Sequence, residues 1–179
     1  MISTKEKLLQ LLITNNVPQE EIISALYGDI LETILGAICD FAKLSKENWL
    51  YIKHEFEKYD NNLATQRVAK YITGFNLSTE ETNWLCSCLE AFLRKRPRNQ
   101  AKANNARKNL WLVQNKKCAF CGKEISLSES HVDHIIPYDY VGDELENNFQ
   151  VLCTSCNSSK SNKVGIALKQ MILNHGGKK

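Results

Sequence analysis

Two Cys-x-x-Cys pairs, Cys118/Cys121 and Cys153/Cys156, constrain this chain more than any other feature. Each pair holds two thiolates in one tight turn, and four thiolates complete a tetrahedron around Zn²⁺. The gap from Cys121 to Cys153 is 31 residues, longer than the roughly 15–20 of a simple zinc ribbon, so something is inserted between the knuckles. A closed four-thiolate site leaves no position for water. The expected zinc is therefore structural and stands in for a core that so short a segment cannot build. Seven cysteines behind a Met-Ile-Ser-Thr-Lys-Glu-Lys start without signal-peptide character argue for metal over disulfides and for a cytoplasmic location. Cys39 follows Ile34, Leu35 and Ile38 at helical spacing and reads as a small buried hydrophobe. No run approaches the roughly 20 apolar residues of a spanning helix, so no membrane partner is expected.

Charge divides the chain. Residues 1–90 carry 8 basic and 13 acidic side chains, whereas residues 91–179 carry 15 and 7. The positive charge falls where the cysteines are, which suits a polyanionic partner at the second half. Residues 1–93 read as a helical domain. Leu8, Leu9, Leu12 and Ile13 form one stripe, Asn15-Asn16-Val17-Pro18 a break, and Ile22, Ile23 and Leu26 a second helix. Gly28-Asp29 is read as opening a third helix through Leu31, Ile34, Leu35 and Ile38. Trp49, Ile52, Phe56 and Tyr59 make a fourth that Asp60-Asn61-Asn62 ends, and Val68, Tyr71 and Ile72 a fifth. Ser78 followed by Glu81 has the order of a capping box ahead of Trp84, Leu85, Leu89 and Phe92. These stripes are what helix packing requires, and this half presents no chemistry; His54 lies on a polar face.

Residues 94–117 read as a basic linker or arm. Arg94, Lys95, Arg96, Arg98, Lys102, Arg107 and Lys108 follow one another without an acidic residue, and Trp111, Leu112 and Val113 form a packing anchor ahead of the first knuckle. Residues 118–175 read as the zinc-bound unit. Within it Ser130-His131-Val132-Asp133-His134-Ile135-Ile136-Pro137 favours a strand, Val141-Gly142-Asp143 a loop, and Phe149-Gln150-Val151-Leu152 a returning strand. A helix follows Cys156 through Val164, Leu168, Met171 and Ile172. The fold class is thus mainly α with a small α+β part: two strands and a helix clasped by zinc, behind a helical domain.

The order C-x-x-C, Val-Asp-His-Ile-x-Pro, Asn-Phe-Gln-Val-Leu-Cys, Cys-Asn-Ser-Ser-Lys resembles the HNH (ββα-metal) endonucleases over about residues 108–165. The resemblance implies that His134 is the general base, that Asp133 and Asn157 hold a catalytic divalent cation, and that Asn148 is the middle Asn, which helps to fix the loop holding the base. Asn157 stands where the family name has His, a variant many members share. Elementary chemistry fits these roles. His supplies a base near neutral pH without a large shift, and a hard cation such as Mg²⁺ or Mn²⁺ prefers the oxygens of Asp133 and Asn157. Lys160 and Lys163, one and two turns beyond Asn157, are placed at phosphates. Asp133 and His134 are adjacent, so in a regular strand they face opposite ways, and the strand must end or bulge there. His131 shares the face of Asp133 and is read as structural or surface-bound in preference to a ligand.

The implied activity is hydrolysis of DNA phosphodiesters, leaving a 5′-phosphate and a 3′-hydroxyl, in a setting compatible with restriction or anti-phage defence. Double-stranded DNA is the expected partner, and cutting both strands with one site per chain implies a homodimer. The helical domain is left for a protein partner. A non-catalytic zinc module that only binds nucleic acid fits the same cysteines and charge, but has no need of Asp133, His134, Asn148 and Asn157 together.

Overall fold

A computed structural model describes residues 19–98 and 100–160, with side chains from residue 31 onward apart from 99 and 100. The Leu8–Ile13 stripe, the break at residues 15–18, Lys163, His175 and the helix expected through Val164–Ile172 lie outside the described residues.

The helical part begins with α1 (Gln19–Leu44). It runs unbroken through Gly28-Asp29, where the sequence pattern suggests two helices. One interior Gly costs a helix only about 1 kcal/mol, less than the burial of the stripe beyond it, where Leu31, Ile34, Leu35 and Ile38 are all buried. Next come α2 (Lys46–Lys58), α3 (Asn61–Thr73) and α4 (Thr79–Leu93). Each start has a side-chain cap that satisfies an otherwise orphan backbone donor. Ser45 accepts from Asn48 N–H, and Asp60 accepts from Leu63 N–H. Asp60 thus both follows the end of α2 and starts α3. At α4, Ser78 and Glu81 form a reciprocal capping box. The four helices close over a core that includes Leu35, Ile38, Cys39, Ile52, Val68, Leu85 and Leu89. His54 is exposed and Tyr71 is 67% exposed, so the fifth stripe rests on Val68 with Ile72 at its margin.

After Pro97 the chain re-enters a helix, α5 (Gln100–Val113). Most of the stretch read as an arm is therefore a helix packed on the sheet. Trp111 Nε1 donates to Ile125 O (2.7 Å), and the Gln114 amide bridges Val151, accepting from its N–H (2.8 Å) and donating to its C=O (3.0 Å). Of the expected anchor, only Trp111 packs inward; Leu112 and Val113 are 48% and 79% exposed.

The sheet is a two-stranded antiparallel pair, β1 (Ser130–His134) with β2 (Phe149–Cys153), in continuous register from Ser130 opposite Cys153 to His134 opposite Phe149. Between the strands lies one turn of helix, α6 (Tyr138–Val141), where the pattern suggests only a loop, and α7 (Thr154–Lys160) follows β2. Ile136 and Val141 belong to the same core as the helical part, so the inserted hairpin is sealed onto α1 and α4. Gly36 makes room for this. A Cβ there would sit 3.3 Å from the Tyr140 hydroxyl, so a bare backbone lets α6 approach α1. Among the described residues, no helix is long and apolar enough to cross a membrane.

Candidate active site and metal centre

The first knuckle is closed by Cys118 N–H to Lys123 O and Gly122 N–H to Cys118 O, each 2.9 Å, with Gly122 at φ +70°. The second is split between the end of β2, which carries Cys153, and the first turn of α7, which carries Cys156. A bond from the first knuckle to β2, Ala119 N–H to Val151 O (3.0 Å), holds the two together, and the four Sγ atoms lie within 4.8 Å of one another. A tetrahedral ion with metal–sulfur distances of about 2.3 Å needs sulfurs about 3.8 Å apart, so the cluster is close to the size required and could hold a metal ion. Cys118 also accepts from Cys153 N–H (3.3 Å), the kind of bond that steadies a thiolate. The Ser155 hydroxyl against Cys153 Sγ (3.2 Å) brings that thiol down to about 6. Burial pushes Cys39 and Cys88 up to about 12, which marks them as inert core residues.

The strand β1 distributes its side chains to two faces. Asp133 and His131 look toward α7. His131 meets Thr154 Oγ1 (3.1 Å), and Asp133 Oδ2 accepts from Gln150 Nε2 (2.9 Å), its cross-strand partner, and from Lys160 Nζ. Lys160 also donates to the backbone carbonyl of His134 and is 5% exposed. Expected at phosphates on the surface, Lys160 is instead an internal tie between α7 and the end of β1. Burial of its ammonium is offset by the carboxylate and the carbonyl. Asp133 Oδ1 has no partner among the described residues, and no described hydrogen bond engages the half-buried Asn157 amide on α7. The free carboxylate oxygen of Asp133 and the amide oxygen of Asn157 are hard donors, of the chemistry that Mg²⁺ or Mn²⁺ takes.

His134 projects to the other face. β1 ends there without a bulge, in agreement with Pro137 close behind. The imidazole is 5% exposed between Phe149 (ring centroids 4.7 Å) and Tyr138 (5.6 Å). Its Nε2 meets Asp143 Oδ1 at 2.8 Å, and Asp143 is itself 6% exposed. A carboxylate on Nε2 fixes the ring and leaves Nδ1 for other work. Nδ1 has no hydrogen-bond partner among the described residues. The chain just after His134 is clasped by Asn148, 3% exposed. Its Oδ1 accepts from Ile136 N–H (2.7 Å), its Nδ2 donates to Ile136 O (2.9 Å), and its own carbonyl accepts from Ile135 N–H (2.8 Å).

The basic residues are dispersed. Arg107 donates to Ser130 Oγ (3.1 Å), Ser128 O (3.1 Å) and Leu127 O, so it staples α5 to the turn before β1 and is not a free phosphate contact. Lys102 Nζ is bonded to the Asp143 carbonyl, and Lys95 Nζ to Asp139 O (3.0 Å). Arg94 turns back on Glu90, Arg98 lies over the Tyr138 ring, and Arg96 and Lys108 are exposed. Two site residues escape a reading of the sequence. Asp143 follows a Gly in a turn, where an acidic residue is ordinary, and only the return of the chain behind α6 brings it to His134. Gln150 stands opposite Asp133 through the register of the hairpin, which spacing along the chain does not fix.

Residues 118–163 match a family model described as HNH endonuclease. A curated relative, the CRISPR-associated endonuclease Cas9 of Corynebacterium diphtheriae, is 38% identical over 63 residues. That alignment covers 32% of this chain, and the chain spans 6% of the length of the relative. No solved structure matches the chain.

Proposed function

We propose that the protein is a metal-dependent endonuclease that hydrolyses DNA phosphodiesters, with His134 as general base and Asp133 and Asn157 as the ligands of a Mg²⁺ or Mn²⁺ ion. The observation that carries this reading is the state of His134. One nitrogen is held by a buried carboxylate while the other is unengaged among the described residues, at the end of the strand that also carries Asp133. An imidazole so held is aligned to take a proton from water, and Asp143 stabilises the imidazolium that results. The match to the HNH family model over residues 118–163 supports the assignment.

The residues divide the work. Asn148 keeps the chain after His134 in place, Asp143 sets the imidazole, and Gln150 and Lys160 occupy one oxygen of Asp133 and so orient the other. A hard cation held by Asp133 and Asn157 would neutralise charge on the phosphate oxygens and on the departing 3′-oxygen. The four cysteines would hold zinc that takes no part in the reaction, because all four of its positions are filled by sulfur. Restriction or anti-phage defence is the setting we favour for such an enzyme.

Incubation of plasmid DNA with the protein and Mg²⁺ or Mn²⁺, beside His134→Ala and a chelator control, tests the proposal. Nicking or linearisation that needs the metal and disappears in the variant is the expected result, and discrete fragments would support restriction. Plasmid that stays intact yet is retarded on the gel would replace the nuclease with a zinc module that only binds nucleic acid.

A further inference from the structure

A cleft of about 820 Å³ lies where the corner between α1 and α2 faces the chain that leaves α4 and the start of α6. It is a wide, open groove. One wall carries Lys43, Lys46 and Trp49 from the helical part, and the other carries Lys95, Arg96 and Tyr138. The four cations face one acidic side chain of the lining, Asp139. The helical half has an excess of acid, 13 against 8 basic residues over positions 1–90, yet it brings two lysines to this one edge. Lys43 is shared with exposed Asp40 at 3.7 Å, and no hydrogen bond or ion pair among the described residues engages Lys46 or the Arg96 guanidinium. Trp49 and Tyr138 are half-buried rings on facing walls that hold cations of their own, Lys53 Nζ over Trp49 (5.6 Å) and Lys95 Nζ over Tyr138 (4.8 Å), which adds to the positive charge of the groove. Tyr138 joins the cleft to the reactive histidine, since its hydroxyl donates to Arg96 O (3.0 Å) while its ring packs edge-on against His134 at 5.6 Å.

We propose that this cleft is the track of a DNA strand next to the bond that is cut, with Lys43 and Lys46 contacting its phosphates. The inference rests on the nuclease reading and extends it. The helical part becomes one wall of the substrate site instead of a separate module awaiting a protein partner. Four cations against one carboxylate, in a groove that runs up to the ring packed on His134, are what the backbone of a polyanion requires. An acidic peptide would meet the same cations but would gain nothing from a position beside His134.

Binding of a labelled DNA duplex to the full chain without Mg²⁺, titrated at several salt concentrations, tests this with three proteins: wild type, Lys43→Gln/Lys46→Gln, and Lys58→Gln/Lys70→Gln. The last pair removes the same charge from the helical part at exposed sites away from the cleft. Each lost phosphate contact lowers the slope of log K against log salt by about 0.9, so a fall of about 1.8 is expected for the cleft pair and little for the control. In cleavage the cleft pair should raise KM about tenfold or more and leave kcat unchanged. Equal behaviour of the two double variants, with wild type binding and cutting DNA, would overturn the cleft and leave the nuclease standing. A wild type that neither binds nor cuts DNA would sink both.

Discussion

Replacing Asn148 by Ala removes two hydrogen bonds at once and strands both backbone groups of Ile136, which is itself 6% exposed. A buried backbone group left without a partner costs roughly 1–3 kcal/mol, so the pair costs roughly 2–6 kcal/mol, with the lower end reached if water enters the space vacated. For a chain of this length, 1 kcal/mol shifts Tm by about 2–4 °C, and a fall of about 4–24 °C in thermal unfolding is expected. The damage is local as well. Ile136 lies two residues from His134, so cleavage measured well below the Tm of the variant should drop by more than the loss of folded protein explains. Asn148→Asp keeps the acceptor for Ile136 N–H but sets a carboxylate oxygen against Ile136 O in a buried site, and should cost at least as much as Ala at neutral pH. A loss of Tm below about 1 °C would refute the reasoning, because it would mean that the clasp bears none of the stability of this loop.

Asp143→Asn leaves the shape of the His134 pocket intact while removing the charge that favours the imidazolium; kcat should fall by about 10²-fold or more with KM little changed, and an unchanged kcat would remove Asp143 from the mechanism. Stripping the metal from the four-cysteine cluster with a strong chelator should lower Tm sharply and expose Cys121 and Cys153 to a thiol reagent at pH 8. Cys39 and Cys88, held up to about 12 by burial, are protonated at that pH and should react only on unfolding; mass spectrometry of the labelled protein reads the order.

Much of the framework was legible in the sequence, because it depends on spacing along the chain. The two knuckles announce their cluster, since each sets two thiols three positions apart and two such pairs complete one tetrahedral site. The helical stripes of residues 31–92 and the caps at Ser78 and Glu81 follow from local periodicity and local hydrogen bonding, which do not wait for tertiary structure. The course of α1 through Gly28-Asp29 was not legible, because a weak local breaker was outweighed by burial of a stripe whose partners lie on α2, α3 and α4.

What the tertiary structure alone decided is how the charges are used. A run of lysines and arginines has no intrinsic target, and folding directed them to different ends. Arg107 became a staple, Lys160 a buried partner of Asp133, and Lys95 and Arg96 one wall of a cleft whose other wall comes from residues more than forty positions earlier. Asp143 reached His134 only because Val141 is buried in the helical core and draws the turn behind it inward. The sequence by itself determined the donor atoms, since residue type fixes their chemistry. Their partners required the fold, because a carboxylate acquires a role only from the group that long-range packing sets beside it.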